Sequence, residues 1–264
     1  MIMAASLTAR LAKPLIASLA AALVVAGAAG CAGTEESETD RLVRDVTEAY
    51  EAAQRATRSQ NWRRAIPIYE ALQARFPFSE LSKRIQLELM YAYYKSGRKE
   101  QSIDLADQFM RENPTHPEVD YALYVKALNY FDDDPGLLES WFNKGLENRP
   151  PRDAALAFSL FRQLVDRYPA SEYAEDARQR MVFLKNRLAA YENSVARFYL
   201  DRGAYVAALN RAKTALEEYN GATSNPESLR IMIAAYERLG MHELAADTRL
   251  VLRSNFPEAI EGGP

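Results

Sequence analysis

Cysteine and histidine are scarce in this 264-residue sequence, which holds one cysteine and two histidines. A single cysteine has no disulfide partner within the chain. His116 and His242 lie in segments that read as turns between helices, and neither has a cysteine beside it to complete a metal site. The patterns H-E-x-x-H and G-x-S-x-G do not occur either. We therefore expect no catalytic residues, no bound metal and no cofactor.

Long apolar runs are also missing after the first thirty residues. The uncharged stretch 15–29 follows Arg10 and Lys13, and it is shorter than the ~20 apolar residues that a membrane-spanning helix needs. Basic residues ahead of such a stretch indicate an export signal, which we place at residues 1–30. Without it the chain has 31 basic and 36 acidic side chains, hence a net charge of −5. This mildly acidic balance argues against nucleic-acid binding.

The one cysteine, Cys31, directly follows Ala28, Ala29 and Gly30. This arrangement resembles a bacterial lipobox, in which a signal peptidase cleaves before the cysteine and the cysteine then carries the lipid. The resemblance implies that Cys31 bears palmitate and other acyl chains that anchor the protein to a membrane. Ala28 departs from the lipobox pattern, which favours leucine there, and a thiol near an ordinary cleavage site is the alternative. Ala32, which is not aspartate, implies the outer membrane and its periplasmic face.

A repeat with a period near 37 residues follows the anchor. Its units end at proline or asparagine, namely Pro77, Pro114, Pro169, Asn220 and Pro257. Glycines 97, 203 and 240 each lie 17 residues before such an end and four residues after a tyrosine, and Gln60 occupies that position in the first unit. Glycine suits the left-handed residue that ends a helix, and proline closes the next helix. Each unit is therefore predicted to be a pair of helices.

Within the units, apolar residues recur at the helical spacing of 4, 3 and 4, as in Ala65, Tyr69, Leu72 and Phe76. One hairpin cannot bury its own apolar face, so the units must stack. The period resembles the tetratricopeptide repeat (TPR) and implies an all-α, right-handed superhelical solenoid of about five TPR-like helical hairpins.

We divide the chain by these marks into six parts. They are the signal peptide 1–30, an acidic tether 31–39 from lipidated Cys31, hairpins 1 and 2 in 40–114, hairpin 3 in 115–169 with an insertion at 132–153, hairpins 4 and 5 in 170–257, and a tail at 258–264. The residues from 171 to 202 contain neither glycine nor proline, which predicts one long first helix in hairpin 4. Trp141 and Phe142 make the insertion either a binding segment or a cap on the third hairpin.

Several separated segments resemble the BamD family of outer-membrane assembly lipoproteins. They are R-F-P-F-S from Arg75, M-Y-A-Y-Y-K from Met90, N-P-T-H-P from Asn113, F-L-K-N-R-L-A-A-Y-E from Phe183 and R-G-A-Y-V-A-A-L-N-R from Arg202. The resemblance implies a non-enzymatic scaffold subunit of the β-barrel assembly (BAM) complex, which inserts proteins into the outer membrane. Its implied partners are BamA, other Bam subunits and unfolded outer-membrane protein precursors.

The same resemblance implies roles for individual residues. Arg211 matches a basic residue associated with BamA docking in the C-terminal hairpins. Tyr69, Phe76 and Tyr91 lie in the N-terminal half proposed to receive precursors. Two other classes of protein stay open at this point: a different TPR lipoprotein of the envelope, such as a pilus-assembly pilotin or a cell-division coordinator, and a lipid-anchored envelope hydrolase. Co-purification with BamA would distinguish the assembly scaffold from the other TPR lipoproteins. A closed cleft with a catalytic group would indicate the hydrolase.

Overall fold

Helices that pair as hairpins make up the described chain, which comprises residues 38–77, 79–132 and 151–258 of a computed structural model. These residues contain ten helices and no strand. The helices are α1 (Glu38–Arg58), α2 (Trp62–Arg75), α3 (Glu80–Lys95), α4 (Lys99–Glu112), α5 (Val119–Asp132), α6 (Arg152–Arg167), α7 (Ala174–Asp201), α8 (Tyr205–Glu218), α9 (Asn225–Arg238) and α10 (His242–Asn255). Residues from Ala49 onward form one compact unit, and all contacts described below lie within it.

Each helix packs against the next along the chain from α2 to α10. First helices of neighbouring hairpins also touch: α3 contacts α5, and α7 contacts α9. At the start of the unit, the hydroxyl groups of Thr57 in α1 and Tyr69 in α2 lie 3.2 Å apart. Stacked helix pairs of this kind confirm the prediction of an all-α solenoid of five TPR-like hairpins.

The turns inside the hairpins use a left-handed residue at the predicted places. Gly97, Gly203 and Gly240 have φ angles of +74°, +75° and +73°. Gln60, the corresponding residue of hairpin 1, has a φ angle of +56° and is the one residue other than glycine with positive φ in the described ranges. Glycine reaches this conformation without a steric penalty, whereas glutamine does not. The glycine register read from the sequence is therefore confirmed.

Helix lengths differ from the predicted divisions at two places. Helix α1 begins at Glu38, so the last two residues of the predicted tether are helical. Helix α5 ends at Asp132 and α6 begins at Arg152, so the predicted insertion lies almost wholly outside the described residues. Helix α7 runs uninterrupted for 28 residues, as the lack of glycine and proline predicted.

The core changes in character along the chain. Between hairpins 3 and 4 it is built from large side chains that are fully buried, including Phe161, Leu164 and Leu184. Between hairpins 4 and 5 it consists largely of alanines, which are Ala196, Ala208, Ala212, Ala235 and Ala245. Alanines let helices approach closely but bury less apolar area than phenylalanine or leucine. The C-terminal hairpins therefore bury less apolar surface in this core.

Candidate protein-binding sites

The first helices of hairpins 1 to 3, together with the residue that precedes α7, enclose a cleft of about 350 Å³. Its lining residues are Thr57, Arg84, Leu87, Glu88, Tyr91, Glu118, Tyr121 and Tyr173. Arg84, Leu87, Glu88 and Tyr91 share one face of α3 because they are spaced by three or four residues. This cleft, called the tyrosine cleft below, combines aromatic rings with charged groups of both signs.

Glu88 is the most heavily hydrogen-bonded group at the cleft wall. One of its carboxylate oxygens accepts from Tyr50 Oη at 2.5 Å and from Gln54 Nε2 at 3.3 Å. The other oxygen accepts from Tyr69 Oη. Burial first, and then the hydrogen bond to Glu88, raises the pKa of Tyr50 to about 12 and raises that of Tyr69 as well. These tyrosines are neutral donors at physiological pH, and they fix the Glu88 carboxylate in place.

Tyrosine rings also form the far wall of the cleft. The rings of Tyr121 and Tyr173 lie 5.4 Å apart, and Tyr173 stacks on Tyr124 at 4.8 Å with an interplanar angle of 20°. Tyr124 Oη donates to Asp176 at 2.5 Å, and Arg180 Nε donates to the same carboxylate. Burial raises the pKa of Tyr121, so its hydroxyl group stays protonated. The wall is an aromatic surface that the partly exposed ion pair of Asp176 and Arg180 holds through Tyr124.

The three residues predicted to receive precursors do not share one surface. Tyr91 lines the cleft and its ring packs edge-on against Trp62 at 6.0 Å. Tyr69 is 0% exposed, so its ring offers no surface to a precursor and instead positions Glu88 from behind. Phe76 is the C-cap of α2, where the guanidinium of Arg75 lies 5.6 Å from its ring centre. Of the three, Tyr91 alone lies at the cleft.

Arg211 is held on the surface of the C-terminal hairpins by Glu192. Its Nη1 donates to Glu192 Oε2 at 3.1 Å, joining α8 to α7. The arginine side chain is 45% exposed, whereas that of Glu192 is only 12% exposed. This hydrogen bond raises the pKa of Arg211 above its usual value. Arg211 therefore exposes part of its guanidinium to solvent while the remainder neutralises a buried carboxylate.

The remaining predicted positions carry no site in the described residues. Cys31 and the pair Trp141–Phe142 lie outside them. His116 packs edge-on against Phe109 at 5.2 Å, and its Nδ1 accepts from the Glu118 backbone N–H. Within the described ranges, no group of three histidine, cysteine, aspartate or glutamate side chains could hold a metal ion. Across those same ranges, every helix is too short or too polar to span a membrane.

Sequence reasoning missed most of the tyrosine cleft. Arg84, Glu88, Tyr121 and Tyr173 were not singled out, and neither was the partner of Arg211. One signal was available: the face of α3 that carries Arg84, Glu88 and Tyr91 places charged and aromatic residues where the repeat pattern alone would favour a uniform apolar stripe.

Comparison with known proteins gives a consistent answer. The YfiO family model, described as an outer membrane lipoprotein, matches residues 43–252. A protein of Neisseria meningitidis serogroup A, named outer membrane protein assembly factor BamD, is 42% identical over 207 residues, which are 78% of this chain and 78% of that protein. The protein of the same name from Vibrio cholerae serotype O1 is 39% identical over 203 residues, which are 77% of this chain and 84% of that protein.

A solved structure with TPR-like repeats, a kinesin light chain of Podosopora anserina, is 17% identical and aligns with a TM-score of 0.36. It covers 80% of this chain and 94% of its own. The fold assignment rests on the observed helix pairs, not on this likeness. The family, in contrast, follows from the match over residues 43–252 and from the identity to the two curated proteins. The chain belongs to the YfiO family of outer membrane lipoproteins.

Proposed function

We propose that this chain is a non-enzymatic scaffold subunit of the β-barrel assembly complex. In this proposal Cys31 carries the lipid that anchors the protein to the periplasmic face of the outer membrane. The C-terminal hairpins bind BamA, other Bam subunits dock alongside, and the N-terminal hairpins receive unfolded outer-membrane proteins. The observation that carries the proposal is the 42% identity, over most of both chains, to a protein named as an outer membrane protein assembly factor.

The tyrosine cleft is the proposed receiving site for precursors. Leu87 and the rings of Tyr91, Tyr121 and Tyr173 provide apolar contact, and Arg84 provides a positive charge at the same opening. A chain that ends in an aromatic residue offers a ring and a terminal carboxylate together, which fits this combination. Tyr69 supports the site through Glu88, and Phe76 lies outside it.

Pull-down of tagged protein from detergent-solubilised native envelopes tests the proposal. The expected result is stoichiometric recovery of a large β-barrel protein with POTRA domains, identified by mass spectrometry. Recovery of pilus-assembly or cell-division proteins in its place would refute the proposed function and support the alternative TPR lipoprotein.

Site-directed photo-crosslinking separates the cleft from the rest of the N-terminal half. A photoreactive amino acid at Tyr91 should crosslink to a peptide that ends in phenylalanine, and more weakly to the same peptide ending in alanine. The matched control is Tyr93 on the same helix, which does not line the cleft. Its hydroxyl group donates a hydrogen bond of 2.7 Å to Glu70. Arg84→Gln should reduce crosslinking at Tyr91, because the terminal carboxylate loses its cation. Equal crosslinking at both tyrosines would refute the cleft as the receiving site.

A further inference from the structure

We propose that the turns inside hairpins 1 and 2 form an edge that docks on an anionic phospholipid surface. This edge, called the basic edge below, comprises Arg58, Arg63, Arg64, Lys95 and Arg98, with Trp62 and Tyr94 among them. The inference goes beyond the scaffold role, because binding to BamA and to precursors does not require the folded chain to touch lipid.

The first turn concentrates positive charge. Residues 52–69 contain four arginines and no acidic side chain. Arg58 ends α1, and Arg63 and Arg64 lie in the first turn of α2, where all three are exposed. In the part of the chain that the structure describes, no carboxylate forms an ion pair with these three arginines. Their charge therefore faces solvent and remains available to an anionic surface.

The second turn extends the same edge. Trp62 and Tyr91 meet at 6.0 Å, and Tyr91 meets Tyr94 at 6.1 Å, so aromatic rings connect the two turns. Lys95 lies over the ring of Tyr94 at 5.5 Å. Arg98 is 3.8 Å from Glu70, and its side chain is still 46% exposed. Cations thus alternate with half-buried tryptophan and tyrosine rings along the edge.

This composition favours a lipid surface over an acidic protein. Tryptophan and tyrosine are the side chains enriched at membrane interfaces, where the ring meets the acyl region and its polar end stays at the headgroups. Arginine and lysine beside them bind anionic headgroups. The family to which the chain belongs is described as an outer membrane lipoprotein, which places a bilayer next to it.

The opposite edge of the array carries more carboxylates than the basic edge, although Arg111, Arg167 and Arg253 also lie there. The helix ends and turns that connect one hairpin to the next carry the exposed carboxylates Glu112, Glu118, Glu172, Glu217 and Glu218. An anionic bilayer repels this edge and attracts the basic edge, so the charge distribution selects one orientation. Because Tyr91 belongs both to the aromatic row and to the tyrosine cleft, this orientation places the cleft beside the lipid.

Fluorescence of Trp62 tests the docking directly. The full chain carrying Trp141→Phe retains Trp62 as its only tryptophan, since the sequence has two. It is reconstituted in phosphatidylcholine vesicles that contain bromine-labelled acyl chains, with or without phosphatidylglycerol. We expect about twofold stronger quenching of Trp62 with phosphatidylglycerol at low salt, and loss of that gain at about 1 M salt.

Charge variants identify the groups responsible. Arg58→Gln, Arg63→Gln and Arg64→Gln together should abolish the gain in quenching. Arg111→Gln, Arg167→Gln and Arg253→Gln together form the matched control, because these exposed residues lie near the C-terminal ends of second helices and change the net charge equally. The lipid and salt comparisons require no charge variant, so they stand even if a triple variant does not fold.

Three results would overturn the proposal. The first is equal quenching with and without phosphatidylglycerol. The second is loss of the gain in both triple variants, which would show a dependence on net charge alone. The third is protection of Trp62 that appears only when envelope proteins are added, which would assign the basic edge to an acidic protein partner. None of these results bears on recovery of BamA, so this proposal and the proposed function fail separately.

Discussion

At the residue scale, Arg211 is a proposed docking residue that also holds two helices of the fold together. The Glu192 carboxylate is largely buried, and Arg211 is the only described residue whose side chain donates to it. Removing one partner of such a pair leaves a buried acceptor unsatisfied, whereas removing the charge from both partners does not leave a buried ion unpaired. Arg211→Glu alone would place a second carboxylate beside Glu192 and destabilise the fold. A loss of docking in that variant would therefore not separate a lost contact from lost stability.

We expect Arg211→Gln to lower the free energy of unfolding by about 1–3 kcal/mol, because the Glu192 carboxylate loses its charged donor. Adding Glu192→Gln should recover most of this loss, as urea unfolding will measure. If Arg211 contacts BamA directly, pull-down of BamA should be weaker than wild type in the single variant and equally weak in the double variant. Lys213→Gln on the same helix is the control for charge. Full recovery of docking together with stability would mean that Arg211 has only a structural role.

A second residue-scale prediction concerns Tyr50 and pH. Its pKa is raised from 10 to about 12, by burial first and by the Glu88 hydrogen bond second. A group whose pKa is higher in the folded state stabilises the protein fully below its unfolded pKa, and that contribution is lost as pH rises from 10 towards 12. Wild type should exceed Tyr50→Phe in stability by about 1 kcal/mol at pH 8. Urea unfolding should show this difference shrinking above pH 10, and a constant difference up to pH 12 would contradict the assignment.

At the scale of elements, Gln60 occupies a left-handed turn position that is glycine in the other described turns inside hairpins. Gly97 has the same left-handed backbone, and a β-carbon built there meets nothing within 4 Å. Substitution at Gly97 is therefore strained by backbone conformation alone and not by crowding. The two positions form a matched pair in which one substitution should relieve the cost that the other introduces.

We expect Gln60→Gly to raise the free energy of unfolding by roughly 0.5–1 kcal/mol and Gly97→Ala to lower it by about 1 kcal/mol. Both changes are modest, because the greater entropy of glycine in the unfolded chain offsets part of the backbone strain in each case. Thermal unfolding of both variants measures the changes. Loss of stability in Gln60→Gly would show that the glutamine side chain makes a contact that outweighs its backbone strain.

The contrast between turns and cleft shows how far sequence reasoning reaches. The turns were predictable because each depends on local backbone conformation, which glycine or proline at a fixed offset reveals, and even Gln60 was located by its register. The cleft was not, because it joins residues as distant as Thr57 and Tyr173 through helix packing. Burial was not predictable either: Tyr69 and Tyr91 look alike in the sequence, yet one is in the core and the other lines the cleft.

At the scale of the whole molecule, the array should not be equally stable along its length. Each hairpin contacts mainly its neighbours, so local stability depends on the local core. Hairpins 3 and 4 share phenylalanines and leucines, whereas hairpins 4 and 5 share mostly alanines, and the last hairpin is described with a neighbour on one side only. Thr248 and Leu252 are among the few buried residues of α10, while Met241, Leu244 and Val251 are exposed.

We therefore expect amide hydrogen exchange in α9 and α10 to be faster than in α5 and α6, because opening the last hairpin exposes less apolar surface. Phe161→Ala should cost about 3–5 kcal/mol and accelerate exchange in α5 to α7 more than in α2. Binding of BamA at the C-terminal hairpins should slow exchange in α9 and α10 and leave the tyrosine cleft unchanged. Uniform exchange across all hairpins would instead mean that the array opens as one unit, in which case docking at one end would stabilise the cleft at the other.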